Sequence, residues 1–343
     1  MTDDYNAAAL AHGGSLAEVR RCYPHAPQPW LDLSTGINPR PYAIPPLPAE
    51  AFTRLPEPSD EHALRCAAAT AYGVSDPDLI AAAPGTQILI GLLPALRPAR
   101  SVAVVGPTYL EHARAWTLAG AQVQTVNRLE DLDDAEVVVL CNPNNPDGKR
   151  LEPQRLRHTA DCLATHGGML IVDEAFADLE PAPVSIVCAL PHPALIVLRS
   201  FGKTYGLAGV RLGFALASAN VTARLRALLG PWAVSGPALA VAQIALQDAA
   251  WRVSMAQRLE ASTCALDSLL MEAGMRVLGG TRLFRLAASP DAAAIASRLA
   301  AAGIHVRRFA EQPEWLRFGQ CGEKSDLQRL RKALMDSPAR GQG

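Results

Sequence analysis

The chain holds only four lysines, Lys149, Lys203, Lys324 and Lys332, and the last two fall in a polar C-terminal helix pattern. Lys203 stands apart. It follows an apolar run and is flanked by Ser200, Gly202 and Gly206, which puts its amine at a strand end, where open α/β sheets bind ligands. Desolvation there lowers a lysine pKa and favours the neutral amine that attacks an aldehyde. Arg211 lies eight residues on and Ser200 three residues back, so the guanidinium and hydroxyl could close on a phosphate. A lysine with a phosphate clamp suggests pyridoxal 5'-phosphate as cofactor. Taken alone, Ser-x-x-Lys fits a salt-bridged surface lysine in a glycine-rich turn at least as well.

Other segments shift that balance. Asp173 ends the apolar run Met169-Leu-Ile-Val-Asp173, where a carboxylate could meet the pyridine nitrogen and keep it protonated. An N-cap or loop aspartate is the simpler account of one such residue. Asn145, in Cys141-Asn-Pro-Asn-Asn-Pro-Asp-Gly148, could bond the ring's phenolic oxygen, or belong to an ordinary Asx/Pro turn. Gly85, Thr86 and Gln87, in Pro84-Gly-Thr-Gln87, precede a helix pattern whose positive end suits a phosphate. Tyr109, just after another apolar run, could lay its ring on the pyridine face or be a core tyrosine.

Such residues need a sheet to hold them. From Glu61 onward, apolar runs of strand length alternate with helical stretches, which predicts α/β structure with a mainly parallel sheet. Strands are expected at 101–105, 137–141, 169–172, 195–198 and 212–216, with covering helices at 61–72, 87–96, 109–118 and 153–166. A long helical stretch runs from Pro237 to about Ala273, with a bend, and is followed by a smaller α+β arrangement: strands at 275–278, 283–286, 304–309 and 316–318, and helices at 291–302 and 324–335. The Gly- and Pro-rich start reads as an arm, with a short helix near 16–22. The expected organisation is therefore an arm over 1–45, a large cofactor-binding domain over 46–235, and a small C-terminal domain with an interdomain helix over 236–343.

Composition excludes several alternatives. A net charge of -1 gives no pull toward nucleic acid, and the seven scattered cysteines show no metal-like spacing. They read as reduced, buried thiols, with no metal expected. Neither a signal core at the acidic N-terminus nor a membrane-length apolar run occurs, so a cytoplasmic protein without membrane association is expected.

In this order and over nearly the whole chain, these segments resemble fold-type-I pyridoxal-phosphate enzymes of the aspartate-aminotransferase superfamily. The arm segments His12-Gly-Gly-Ser15 and Leu33-Ser-Thr-Gly-Ile-Asn-Pro39 are similar to those of the threonine-phosphate decarboxylase branch, which serves cobalamin biosynthesis. Histidinol-phosphate aminotransferases are also similar, but their arm typically lacks His-Gly-Gly. The resemblance implies a fold with a large α/β/α domain and a smaller α+β domain. It implies a catalytic set of Lys203, Asp173 and Tyr109, with Lys203 bonded to the cofactor, Asp173 at the ring nitrogen, Asn145 at the ring oxygen and Tyr109 on the ring face. Thr86, Ser200 and Arg211 would hold the cofactor phosphate, with Gly85 and Gln87 beside them. His12, Gly13, Gly36, Asn145, Arg307 and Arg317 would contact a small phosphorylated amino acid, in a homodimer.

Three departures qualify that picture. Phe176 stands where aminotransferases usually have tyrosine, Leu55 replaces the tyrosine of a common Arg-Tyr-Pro, and Gly36 replaces an asparagine. The expected reaction is decarboxylation of L-threonine O-3-phosphate. The alternatives are transamination of a phosphorylated amino acid such as histidinol phosphate, and a non-catalytic cofactor-binding scaffold or regulator.

Overall fold

The structure, a computed structural model, describes residues 13–132 and 134–336. In chain order its strands are β1 (Leu31–Leu33), β2 (Ile80–Ala83), β3 (Ser101–Val105), β4 (Gln122–Val126), β5 (Val137–Cys141) and β6 (Met169–Asp173). They continue with β7 (Leu195–Ser200), β8 (Gly213–Leu216), β9 (Arg276–Thr281), β10 (Phe284–Ala288), β11 (Ile304–Arg308) and β12 (Trp315–Gly319). Among these residues the chain divides into two compact units, one within 41–255 and one that joins 13–40 to 256–336.

The larger unit is built on a seven-stranded sheet in the order β2-β8-β7-β6-β5-β3-β4. Neighbours from β4 to β7 pair in parallel, while β8 is antiparallel to both β2 and β7. The central strands bury both faces, which is why they read as unbroken Val, Ile and Leu. Val138, Leu140, Leu170, Val172 and Val197 join one core; Val139, Ile171, Ile196 and Leu198 join the other. Helices Pro58–Tyr72, Thr86–Leu96, Leu110–Leu118 and Pro153–Thr165 agree with the sequence expectation. The α/β expectation holds, with strand β8 reversed within it.

Register decides where the sheet's chemistry lies. Ser200 pairs with Gly213 and Gly213 with Ala83, while Cys141 pairs with Asp173. The carboxyl ends of β2, β5, β6 and β7 and the start of β8 therefore share one edge.

In the smaller unit a five-stranded sheet has the order β1-β11-β12-β10-β9. Side chains alternate across it. Leu33, Val306, Leu316 and Phe318 enter a core shared with helices Ala292–Ala301 and Lys324–Met335, whereas Asp32, His305, Arg307 and Arg317 occupy the opposite face. The long helical stretch does break, at Asp248, between helices Gly236–Gln247 and Ala249–Glu272. Strands β1, β2 and β4 have no counterpart among the expected elements: β2 is Ile-Ala-Ala-Ala, and β4 is largely polar.

All seven cysteines are free, but the expectation of buried thiols is corrected. Only Cys141 and Cys321 are buried. Cys66, Cys162, Cys188 and Cys264 are exposed, three of them on the outer faces of helices whose apolar stripes point elsewhere.

Gly213 has a specific reason to be glycine. A Cβ there would lie 2.5 Å from the Thr86 backbone nitrogen and 2.8 Å from Thr86 Cγ2. Backbone cannot yield as a flexible side chain would, so Gly213→Ala is expected to cost about 1–3 kcal/mol of stability. A lowered denaturant midpoint would check this; an unchanged midpoint would contradict the contact.

Candidate active site

The segments at the shared edge of the larger sheet carry most of the residues singled out in sequence. Lys203 lies in a short helix, Phe201–Thr204, that begins as β7 ends. The residue is half-buried, and its Nζ lies 5.1 Å from the centre of the Phe176 ring. Asp173 closes β6, almost fully buried, and its Oδ1 accepts a bond from the Ala175 amide at 3.0 Å.

Asp173 Oδ2 meets His112 Nε2 at 2.9 Å, and His112 was not singled out in sequence. It sits in the first turn of helix Leu110–Leu118, with Trp116 one turn on; both are fully buried, so this histidine occupies a core-facing stripe. That placement was the signal available in sequence. Burial alone would raise the Asp173 pKa, but the His112 bond and the charges of His112 and Lys203 outweigh it and hold the carboxyl below its usual range. Burial opposes the charge on His112, yet Asp173 and Cys141 together push its pKa up to about 10. Cys141 Sγ, a His112 ring nitrogen and an Asp173 oxygen lie within 4.8 Å of one another.

Gly85 caps helix Thr86–Leu96 with φ 89°, and a Cβ at Gly85 would stand 2.6 Å from Arg211 Nη2. The missing side chain leaves room for the guanidinium over the helix's amide end. Arg211 itself has φ 53°, left-handed backbone that few side chains adopt. Ser200, buried, pairs with Gly213 beside this helix start. Amides at a helix N-terminus, an arginine and a hydroxyl converging on a glycine-lined space fit a phosphate group. Buried Asp173 and half-buried Lys203 fit the pyridine nitrogen and the aldehyde of pyridoxal phosphate.

Tyr109 donates its hydroxyl to Gln87 Oε1 at 3.0 Å, which joins two of the predicted residues directly. Burial, then Glu111 and Asp173, push its pKa up to about 12, so the phenol keeps its proton. Asn145 is half-buried in the segment after β5. Beside that segment a cavity of about 450 Å³ touches Val105, Cys141, Asn144 and Lys149, and neither Lys203 nor Asp173 lines it.

Behind Lys203 and Asp173 lies a buried ionic network. Arg199 meets Glu174 Oε2 at 2.8 Å and also pairs with Asp178. Asp178 Oδ2 accepts from the Thr204 hydroxyl at 2.8 Å. The immediate neighbours of Asp173 and Lys203 are thereby joined through one guanidinium.

In the smaller unit Arg307 and Arg317 are direct partners across β11 and β12, and both are buried. Arg317 Nη2 donates to the Ser34 carbonyl at 2.7 Å, and the guanidinium lies 5.1 Å from the Phe284 ring centre. Burial first, then Arg307, pull the Arg317 pKa down, and Asp32 opposes them. Gly13 packs so closely that a Cβ would stand 2.3 Å from the Ser34 carbonyl oxygen, and the Gly14 amide bonds Ser34 Oγ at 2.7 Å. Gly36 is buried in the same segment. His12 lies outside the described residues. His305, buried beside Asp32 and Arg307, was also missed in sequence.

A profile of the aminotransferase class I and II family matches residues 47–334. A threonine-phosphate decarboxylase of Sinorhizobium sp is 44% identical over 330 residues, covering 96% of this chain and 98% of that protein. The Pseudomonas aeruginosa protein of the same name is 42% identical over 329 residues, covering 95% and 97%. A solved structure of a histidinol-phosphate aminotransferase from Sinorhizobium meliloti, in complex with pyridoxal-5'-phosphate, superimposes with a TM-score of 0.80 at 22% identity, covering 93% of each chain. That structure shares the fold.

The His112–Asp173 pair makes stability depend on pH. Because the His112 pKa is raised from 6.5 to about 10, its contribution is fully present below 6.5 and lost as pH rises through about 10. Comparing unfolding of wild type and His112→Ala at neutral pH and above pH 10 should show the difference between them shrink at high pH. A constant difference would mean that the imidazole packs without carrying charge.

Proposed function

The chain belongs to the class I and II aminotransferase family, and from that premise we propose that it is a pyridoxal-phosphate-dependent decarboxylase of L-threonine O-3-phosphate. The product is (R)-1-amino-2-propanol O-2-phosphate, and the physiological setting is cobalamin biosynthesis in the cytoplasm. The observation that carries the substrate class is the buried Arg307–Arg317 pair. Two guanidinium groups side by side suit a ligand with two anionic groups. A carboxylate and a phosphate on one small molecule supply those groups. The near-full-length relatives support decarboxylation as the reaction.

Bound pyridoxal phosphate supplies an electron sink for the pair released when a bond at Cα breaks. The protein's own groups do the rest. Lys203 would supply the amine that holds the cofactor aldehyde. Ionised Asp173, kept so by His112, places negative charge where a protonated pyridine nitrogen is favoured. Tyr109 and Asn145 would fix the ring, while Thr86, Ser200 and Arg211 would hold its phosphate. His12, Gly13 and Gly36 belong with the two arginines in orienting the substrate. Arg307 and Arg317 would hold the carboxylate and the phosphate of the substrate. Phe176 brings an apolar ring to Lys203, where a tyrosine would add a hydroxyl.

A homodimer is part of this reading. Phe52, Leu55 and Trp232 are exposed apolar side chains on the larger unit, of the kind a partner subunit covers. No helix among the described residues is long and apolar enough to cross a membrane.

Incubation of the holoenzyme with threonine phosphate should release carbon dioxide stoichiometrically without any keto acid. Turnover that requires a keto acid would instead establish transamination. Lys203→Ala should abolish both turnover and borohydride-reducible attachment of the cofactor. Arg317→Met should raise KM about 10–100-fold, the equivalent of losing a charged hydrogen bond of roughly 1.5–3 kcal/mol. An unchanged KM would remove Arg317 from the substrate site.

A further inference from the structure

The two ring-fixing residues proposed above come from different loops. Tyr109 follows β3 and Asn145 follows β5, and these strands are neighbours in the sheet. The Asn144 side chain bonds across from one loop to the other. Asn144 Oδ1 accepts a bond from the Thr108 hydroxyl at 2.7 Å, and its Nδ2 donates to the Pro107 carbonyl at 3.0 Å. The same Nδ2 donates to Asp147 Oδ1 at 2.7 Å. Thr108 immediately precedes Tyr109, and Asn144 immediately precedes Asn145.

Closure of the second loop does not need this side chain. The Asn144 amide donates to the Lys149 carbonyl at 2.8 Å, and the Asn144 carbonyl accepts from Gly148 at 2.8 Å, so backbone bonds already span the turn. Asp147 is held in turn by the Lys149 amide at 3.1 Å and the Lys149 ammonium at 3.1 Å. The amide of Asn144 is therefore directed outward to the loop of Tyr109. Only an amide serves all three contacts, because it offers one acceptor to Thr108 and donors to two oxygens. A carboxylate would face the Pro107 carbonyl and the Asp147 carboxylate with no proton to give.

We propose that Asn144 is a positioning residue that sets the spacing between the Tyr109 ring and the Asn145 amide. This inference rests on the cofactor reading, since those two groups are taken to fix one planar ring from its face and its edge. Without the Asn144 bridge each loop keeps its own turn, but the two no longer move as one. The two groups that would fix the ring then no longer keep one spacing, which would loosen its orientation.

The test uses holoenzyme and reads the cofactor as well as turnover. Asn144→Ala should keep its cofactor and its borohydride-reducible link to Lys203, yet lose much of the circular dichroism in the cofactor band. Its kcat should fall about 100-fold, the scale expected for small misplacement of a reacting group, with KM for threonine phosphate within about threefold. Thr108→Val should move both readouts in the same direction, and Thr108→Ser, which keeps the hydroxyl, should restore them. Unchanged cofactor-band dichroism in Asn144→Ala overturns the proposal even if kcat falls. Should Asn144→Ala fail to fold, Thr108→Val decides by the same criterion. A wild-type protein that binds no cofactor would overturn the parent reading and this one together, whereas a normal wild-type band with insensitive variants overturns this one alone.

Discussion

Arg199 is the interaction on which the larger unit's chemistry depends. Its guanidinium is buried with Glu174 and Asp178, and these acids stand in the segment that Asp173 begins. Asp178 also holds Thr204, the residue after Lys203. Three charges are thus withdrawn from water, and such a network is sustained only while each member keeps its partners; loss of one partner from a buried pair costs about 3–5 kcal/mol. That penalty ties the end of β6 to the end of β7. The Ser185 hydroxyl, bonded to both Glu174 and Arg199, draws a third segment into the same network.

A common construction principle recurs along the sheet edge. Residues assigned to chemistry are not fastened only through their own side chains; their immediate neighbours in sequence are joined as well, either directly or through a shared ionic network. Glu174 and Thr204 do this for Asp173 and Lys203, and Thr108 and Asn144 do it for Tyr109 and Asn145. The backbone beneath these residues is thereby fixed. His112 differs, since it acts on Asp173 directly and keeps that carboxyl ionised inside a buried site.

The smaller unit uses burial differently. Its sheet places Arg307 opposite Arg317, and the second guanidinium rests on a carbonyl and an aromatic face. Asp32, whose charge opposes the fall in the Arg317 pKa, accepts bonds from the Ser34 hydroxyl and amide. A buried face that carries two guanidinium groups suits anionic ligands.

The sequence by itself determined the α/β class, the central strands and the nature of the chemistry. Strands buried on both faces leave apolar runs, and a cofactor of this kind demands a lysine, an aspartate and phosphate donors at strand ends, all visible as residue types. It did not show β1, whose partner β11 lies some 270 residues away along the chain, nor β2 and β4, where alanines and an exposed edge remove the apolar signal. Nor did it show His112, His305 or the Arg199 network. A buried polar residue has the same letter as an exposed one; what distinguishes it is the partner that makes burial tolerable, and register across distant segments supplies that partner. Only the tertiary structure decided that the carboxylate ending β6 would be held ionised by a histidine, and that Thr108 and Asn144 would meet across two loops.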